Sequence, residues 1–154
     1  MKRHYDALVM EAQTRVKEIQ PWDLRAILDA GRPVMVVDVR EPGEYERLCI
    51  RGSINVPRGI LEQACEWDYD ETVPELAAGR DREIVVVCRS GKRSLLAADT
   101  LQKMGYANVV SLRSGVRGWN DFEQPLEDGA GNAVDPDSAE DILAPRPRPD
   151  QRRP

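Results

Sequence analysis

Two apolar runs without a polar interruption, Val34-Met35-Val36-Val37 and Ile84-Val85-Val86-Val87, constrain this chain most. A strand with one wet face alternates apolar and polar residues. A run without alternation marks a strand covered on both faces, as in a parallel sheet. Val109-Val110-Ser111-Leu112 reads as a third strand and Ile54-Asn55-Val56 as a short fourth. Ser94 to Met104 reads as a helix that stops at Gly105. Strand, helix, strand at this spacing is a βαβ unit, so the expected fold class is α/β around a parallel sheet.

The ends differ from this centre. Leu8, Val9, Ala12, Val16 and Ile19 recur at helical spacing, which predicts a helix over residues 4–19 and a helical extension at 1–17. Pro21 suits the first turn of a second helix over 21–30, and Asp23 is favourable near its start. From Asp128 onward the chain holds Pro136, Pro145, Pro147, Pro149 and Pro154, with no aromatic residue. That composition predicts a disordered tail over 128–154. The main domain is thereby expected at 18–127.

Length and charge narrow the function. A chain of 154 residues suits one domain, and its net charge of -5 argues against broad nucleic-acid binding. No apolar run approaches the ~20 residues that span a bilayer. The start, Met1-Lys2-Arg3, is followed by Asp6, Glu11 and Arg15 rather than an apolar leader, which predicts a cytoplasmic protein with no membrane partner. Three separated cysteines and a single histidine, His4, offer neither a disulfide framework nor closely spaced metal ligands. A reactive cysteine here would need activation by something other than histidine.

The segment Cys88-Arg89-Ser90-Gly91-Lys92-Arg93-Ser94 supplies it. Cys88 follows a buried strand, and open α/β sheets place ligands at that end. Gly91 lets the backbone turn and aim successive N–H groups at one point. The helix N-terminus adds partial positive charge, and Arg89, Lys92 and Arg93 add full charges. Such surroundings favour a thiolate, the nucleophilic form of cysteine. The same groups would draw in an anionic donor and steady its leaving group. A cysteine that merely packs in a core has no need of a glycine and three cations in its next five residues.

This segment resembles the active loop of single-domain sulfurtransferases of the rhodanese family. Asp38-Val39-Arg40-Glu41-Pro42 with Glu44-Tyr45, Gly52-Ser53-Ile54-Asn55-Val56-Pro57, and Ser114-Gly115-Val116-Arg117-Gly118-Trp119 with Gln124-Pro125-Leu126 resemble its other motifs, in order. The likeness covers roughly residues 18–126. It implies a rhodanese-like α/β fold with a central parallel sheet of about five strands flanked by helices. It implies that Cys88 is the nucleophile and that Arg89, Ser90, Gly91, Lys92, Arg93 and Ser94 bind substrate. It further implies transfer of sulfane sulfur through a persulfide, from a small anionic donor such as thiosulfate to cyanide, a thiol or a protein acceptor. No cofactor or metal is implied. Leu48-Cys49 stands where the family usually has Gly-His before the isoleucine, here Ile50.

Two other functions compete. One is a sulfur-relay or protein-binding module with little turnover of its own; the presence of Cys88 favours chemistry. The other is a phosphatase or arsenate reductase. Related phosphatases have five residues between cysteine and arginine, whereas four separate Cys88 from Arg93, a loop better suited to sulfur. Asp38 and Arg40 read as an ion pair that organises their loop, and Trp119 reads as core. Arg58, Trp67 and Tyr69 are candidates for the rim of the crevice. Cys49 and Cys65 read as small apolar fillers, with a resolving role toward Cys88 as the sharper alternative.

Overall fold

The computed structural model describes residues 1–154. Its elements run α1 (Tyr5–Gln13), β1 (Lys17–Ile19), α2 (Pro21–Asp29), β2 (Val34–Asp38), α3 (Pro42–Arg47), β3 (Ile54–Asn55), α4 (Leu61–Ala64) and α5 (Pro74–Ala77). They continue with β4 (Glu83–Val87), α6 (Lys92–Lys103), β5 (Val109–Leu112), α7 (Gly115–Asp121), β6 (Leu126–Glu127), β7 (Ala133–Val134) and α8 (Pro136–Leu143). A five-stranded sheet of order β1-β5-β4-β2-β3 is parallel throughout.

The unbroken apolar runs have the expected cause. Along β4, Ile84 and Val86 enter a core with Val37, Leu95, Ala98 and Leu101 on one face. Val85 and Val87 enter a second core with Leu24, Leu112, Val116 and Trp119 on the other. Successive side chains of a strand point to opposite faces, so a strand covered twice must be apolar at every position.

Two expectations about the ends are corrected. The N-terminal helix stops at Gln13, and Lys17–Ile19 forms the edge strand β1, paired with β5 from Lys17↔Val110 to Ile19↔Leu112. Val16 and Ile19 fit a helical period, but the ladder with β5 is a long-range contact with no local signature.

The C-terminal segment is not a loose tail. Residues Ala133–Val134 pair with β6, and α8 starts on Asp135, whose Oδ1 accepts the Ser138 N–H at 2.9 Å. Pro136 sits at the first helical position, where a missing N–H costs nothing. Ala139 and Leu143 are fully covered and join the second core beside Val36 and Trp119. Asn120 Nδ2 donates to the Pro136 carbonyl at 3.1 Å, fastening α8 to α7. Ala139 and Leu143, one helical turn apart, dock α8 beside α7 on the second core, a contact that proline counting could not reveal. Only residues 145–154 are exposed throughout.

Truncation should expose this difference. Removing residues 133–154 strips Ala139 and Leu143 from the core, which corresponds to about 2–4 kcal/mol of apolar burial. The melting temperature should fall by roughly 5–15 °C. Removing only 145–154 should change stability by less than about 0.5 kcal/mol. Equal melting temperatures for the two truncations, read by circular dichroism, would show that α8 adds nothing.

Candidate active site around Cys88

Cys88 leaves β4 directly, and α6 begins four residues later, so Lys92 and Arg93 belong to the first helical turn. The helix therefore starts two residues before the expected Ser94. Gly91 has φ +99°, a conformation that side chains disfavour, and it turns the chain so that N–H groups converge on the sulfur. Cys88 Sγ accepts from the Gly91 N–H at 3.1 Å and from the Ser94 N–H at 3.3 Å. Ser94 Oγ lies 3.4 Å from Sγ and receives a hydrogen bond from Ser111 Oγ at 2.8 Å. With the thiol deprotonated, the hydroxyl chain runs Ser111 to Ser94 to sulfur. Anionic sulfur at this point meets donors only, in a site where Cys88 is 1% exposed and water competes little.

The rest of the loop is held from behind. Gly115 opens α7 with φ +59°, and a Cβ there would lie 2.3 Å from the Cys88 carbonyl oxygen. This close approach lets Val116 N–H donate to the Cys88 carbonyl at 2.8 Å and Arg117 N–H to the Arg89 carbonyl at 3.0 Å. Opposite, Val39 N–H donates to the Val87 carbonyl at 3.0 Å, tying the β2 loop beside Cys88.

That β2 loop is built on a buried ion pair. Arg40 Nη2 lies 2.8 Å from Asp38 Oδ2, and both side chains are essentially inaccessible. Arg40 also donates to the Leu48 carbonyl at 2.5 Å, and Asn55 Nδ2 donates to the carbonyls of Asp38 and Arg40 at 3.1 and 2.9 Å. Arg40 Nε and Nη2 are thus both used inside the fold, as a structural pair requires.

The loop cations are distributed unequally. Arg93 makes a two-pronged pair with Glu44 of α3, at 2.8 and 2.9 Å. That guanidinium holds the Glu44 carboxyl at about 2, well below the usual range. Lys92 Nζ pairs with Asp6 of α1 at 2.8 Å. Arg89 is half-buried and makes no ion pair. Glu44, Asp6 and Ser111 are site neighbours that the sequence did not single out. Each comes from an element remote in the chain, so only the fold brings it near. Arg58, by contrast, pairs with Glu62 at 3.0 Å and donates to Thr100 at 3.0 Å, and Trp119 is core. Trp67 and Tyr69 are exposed.

Cys49 and Cys65 are both buried and free, and burial pushes both thiols up. Cys49 exchanges backbone hydrogen bonds with Glu127, and Cys65 packs in the first core with Tyr106. Both fit the filler reading.

A cleft of about 420 Å³ opens beside the loop, with Ser90, Gly91 and Lys92 on one wall and Asp6, Val9 and Met10 on the other. A hollow of about 460 Å³ lies at the amino ends of the strands, among Lys17, Val34, Glu83 and Val109, and touches none of the loop residues. No helix is long and apolar enough to cross a membrane.

The profile of the Rhodanese-like domain matches residues 20–122. The chain belongs to the rhodanese family. Among its relatives is a Schizosaccharomyces pombe protein provisionally named as a mitochondrial thiosulfate sulfurtransferase, 31% identical, the alignment covering 71% of this chain and 84% of that one. A sulfurtransferase of Allochromatium vinosum is 31% identical, with 72% and 94% covered. A solved Rhodopseudomonas palustris structure, described as a protein of unknown function and possible tyrosine phosphatase, superposes with a TM-score of 0.75 at 32% identity, covering 82% of this chain and 96% of that one. Some relatives are much longer: this rhodanese chain spans 22% of the rice adenylyltransferase and sulfurtransferase MOCS3. The chain is thus a rhodanese-type member of a family of sulfurtransferases and sulfur carriers.

Proposed function

We propose that this rhodanese carries sulfane sulfur as a persulfide on Cys88, taking it from thiosulfate or a thiol-borne persulfide and giving it to a thiol or cyanide. The observation that carries this reading is the convergence of the Gly91 and Ser94 N–H groups on Cys88 Sγ. In the first half-reaction the Cys88 thiolate attacks the outer sulfur of thiosulfate. The new S–S bond forms on Cys88, and the old one breaks with its electron pair leaving on sulfite. In the second, an acceptor thiolate or cyanide attacks the terminal sulfur and the Cys88 thiolate leaves. No external oxidant or reductant enters. The loop N–H groups neutralise whichever sulfur is anionic, and Arg89 with the first turn of α6 provides positive field for the donor.

A phosphatase reading is opposed by Arg93, whose fork is occupied by Glu44 rather than free for a phosphoryl group. A relay reading is supported by the 1% exposure of Cys88 and by relatives named as sulfurtransferases within larger enzymes. Steady-state kinetics separate relay from enzyme. With thiosulfate or an alkyl persulfide as donor, and cyanide or dithiothreitol as acceptor, the enzyme reading expects parallel double-reciprocal lines, as for two half-reactions through a covalent intermediate. One stoichiometric sulfur transfer without turnover would favour the relay. No transfer with any pair would defeat the proposal.

A further inference from the structure

The matched family region begins at residue 20, and α1 lies before it. Yet α1 is seated against the reactive loop. Val9 and Ala12 are buried in the same core as Leu95 and Cys88. Arg15, just beyond the helix, grips Asp99 of α6 with two hydrogen bonds of 2.8 Å each. At the other end of α1, Asp6 holds Lys92 Nζ at 2.8 Å, and the same ammonium lies 5.7 Å from the centre of the Tyr5 ring. The Tyr5 hydroxyl is pushed up by burial and by negative charge on Cys88, which agrees with its place near the sulfur.

The consequence is electrostatic. Lys92 would by sequence be a free cation on the donor's path. In the fold its charge is held by a carboxylate from outside the loop. Arg93 is held likewise by Glu44, but that pair is half-buried and clips α3 to α6. The Asp6 side chain is 72% exposed, and α1 is anchored without it. Asp6 can therefore set the charge seen by an incoming donor without supporting the fold.

We propose that Asp6 is a specificity-determining residue: by holding Lys92 in an ion pair, it weakens the loop's preference for multiply charged donors such as thiosulfate relative to singly charged persulfides. This rests on the sulfur-transfer reading for its substrates, but its electrostatic part does not.

The test compares Asp6→Asn with the wild-type chain in two ways. Alkylation of Cys88 by iodoacetate and by iodoacetamide, read by peptide mass spectrometry, reports the field at the sulfur whether or not sulfur is transferred. The substitution should raise the iodoacetate-to-iodoacetamide rate ratio about 2–3-fold at low ionic strength, the scale of one unit charge acting through water. High salt should remove the gain. Lys92→Met alone should lower the ratio by a similar factor, and adding Asp6→Asn to it should restore a ratio near the wild-type value, because the pair's net charge returns to zero. For sulfur transfer, kcat/KM for thiosulfate should rise about 4–9-fold, the square of the single-charge effect, while that for a singly charged alkyl persulfide rises about 2–3-fold. An unchanged alkylation ratio, or equal changes for both donors, would overturn the proposal. A changed alkylation ratio in a protein that transfers no sulfur would retain the electrostatic role and refute the sulfur-transfer reading.

Discussion

Replacing Cys88 with serine is expected to lower sulfur transfer by about 10⁴-fold or more, to the background rate, while the protein stays folded. The magnitude is that of removing a covalent nucleophile, since a serine hydroxyl at neutral pH neither attacks a sulfane sulfur nor holds it as a leaving group. Folding should survive because the hydroxyl can use the partners that Sγ has now, the N–H groups of Gly91 and Ser94. A stability change within about 1 kcal/mol is expected. Urea denaturation followed beside kcat/KM checks both halves. Activity retained within tenfold would remove Cys88 from the chemistry and return attention to Cys49 and Cys65.

Gly115→Ala is expected to be the single-methyl change most damaging to the reactive loop. The added Cβ would stand 2.3 Å from the Cys88 carbonyl oxygen and 2.6 Å from the Arg89 carbonyl carbon, both backbone atoms that cannot rotate away. The positive φ adds about 1–2 kcal/mol and the overpacking about 1–3 kcal/mol, giving a loss of roughly 2–5 kcal/mol. The loop that relieves the clash is the one that carries Cys88. Activity of the folded fraction should therefore drop about 100-fold, the usual consequence of displacing reacting groups by about 1 Å. The midpoint of urea unfolding and kcat/KM on the folded protein give the two numbers. A variant with wild-type midpoint and rate would show that the contact of α7 with the loop is not needed.

The parts of the fold legible in the sequence are those whose causes are local. The strands β2, β4 and β5 announce themselves as apolar runs, and α2 and most of α6 by helical spacing with Pro21 at the start of one and Gly105 at the end of the other. The buried pair of Asp38 and Arg40 was also legible, because two charges flanking Val39 at the end of a buried strand have few ways to be accommodated except together. The edge strand β1 was not. Three residues, Lys17–Ile19, are a strand only because β5 lies alongside. The docking of α8 was hidden for the same reason: its burial depends on Ala139 and Leu143 meeting α7 and the second core, which the local sequence does not mention.

The candidate site divides in the same way. Cys88, Gly91 and Ser94 come from one continuous segment, and their convergence follows from a glycine turn entering a helix. The charge balance around them does not. Three loop cations suggested an open anion trap. The fold instead pairs Arg93 with Glu44 and Lys92 with Asp6, residues that no spacing rule connects.

In the proposed reaction, sulfur rests covalently on Cys88 between the two half-reactions. The direct measurement is an intact mass of the protein after reaction with thiosulfate, followed by trapping with an alkylating agent and peptide mapping. One added sulfur atom is expected, found on the peptide that carries Cys88 and absent from those carrying Cys49 and Cys65. No added sulfur, or sulfur on either of the other two cysteines, would contradict it.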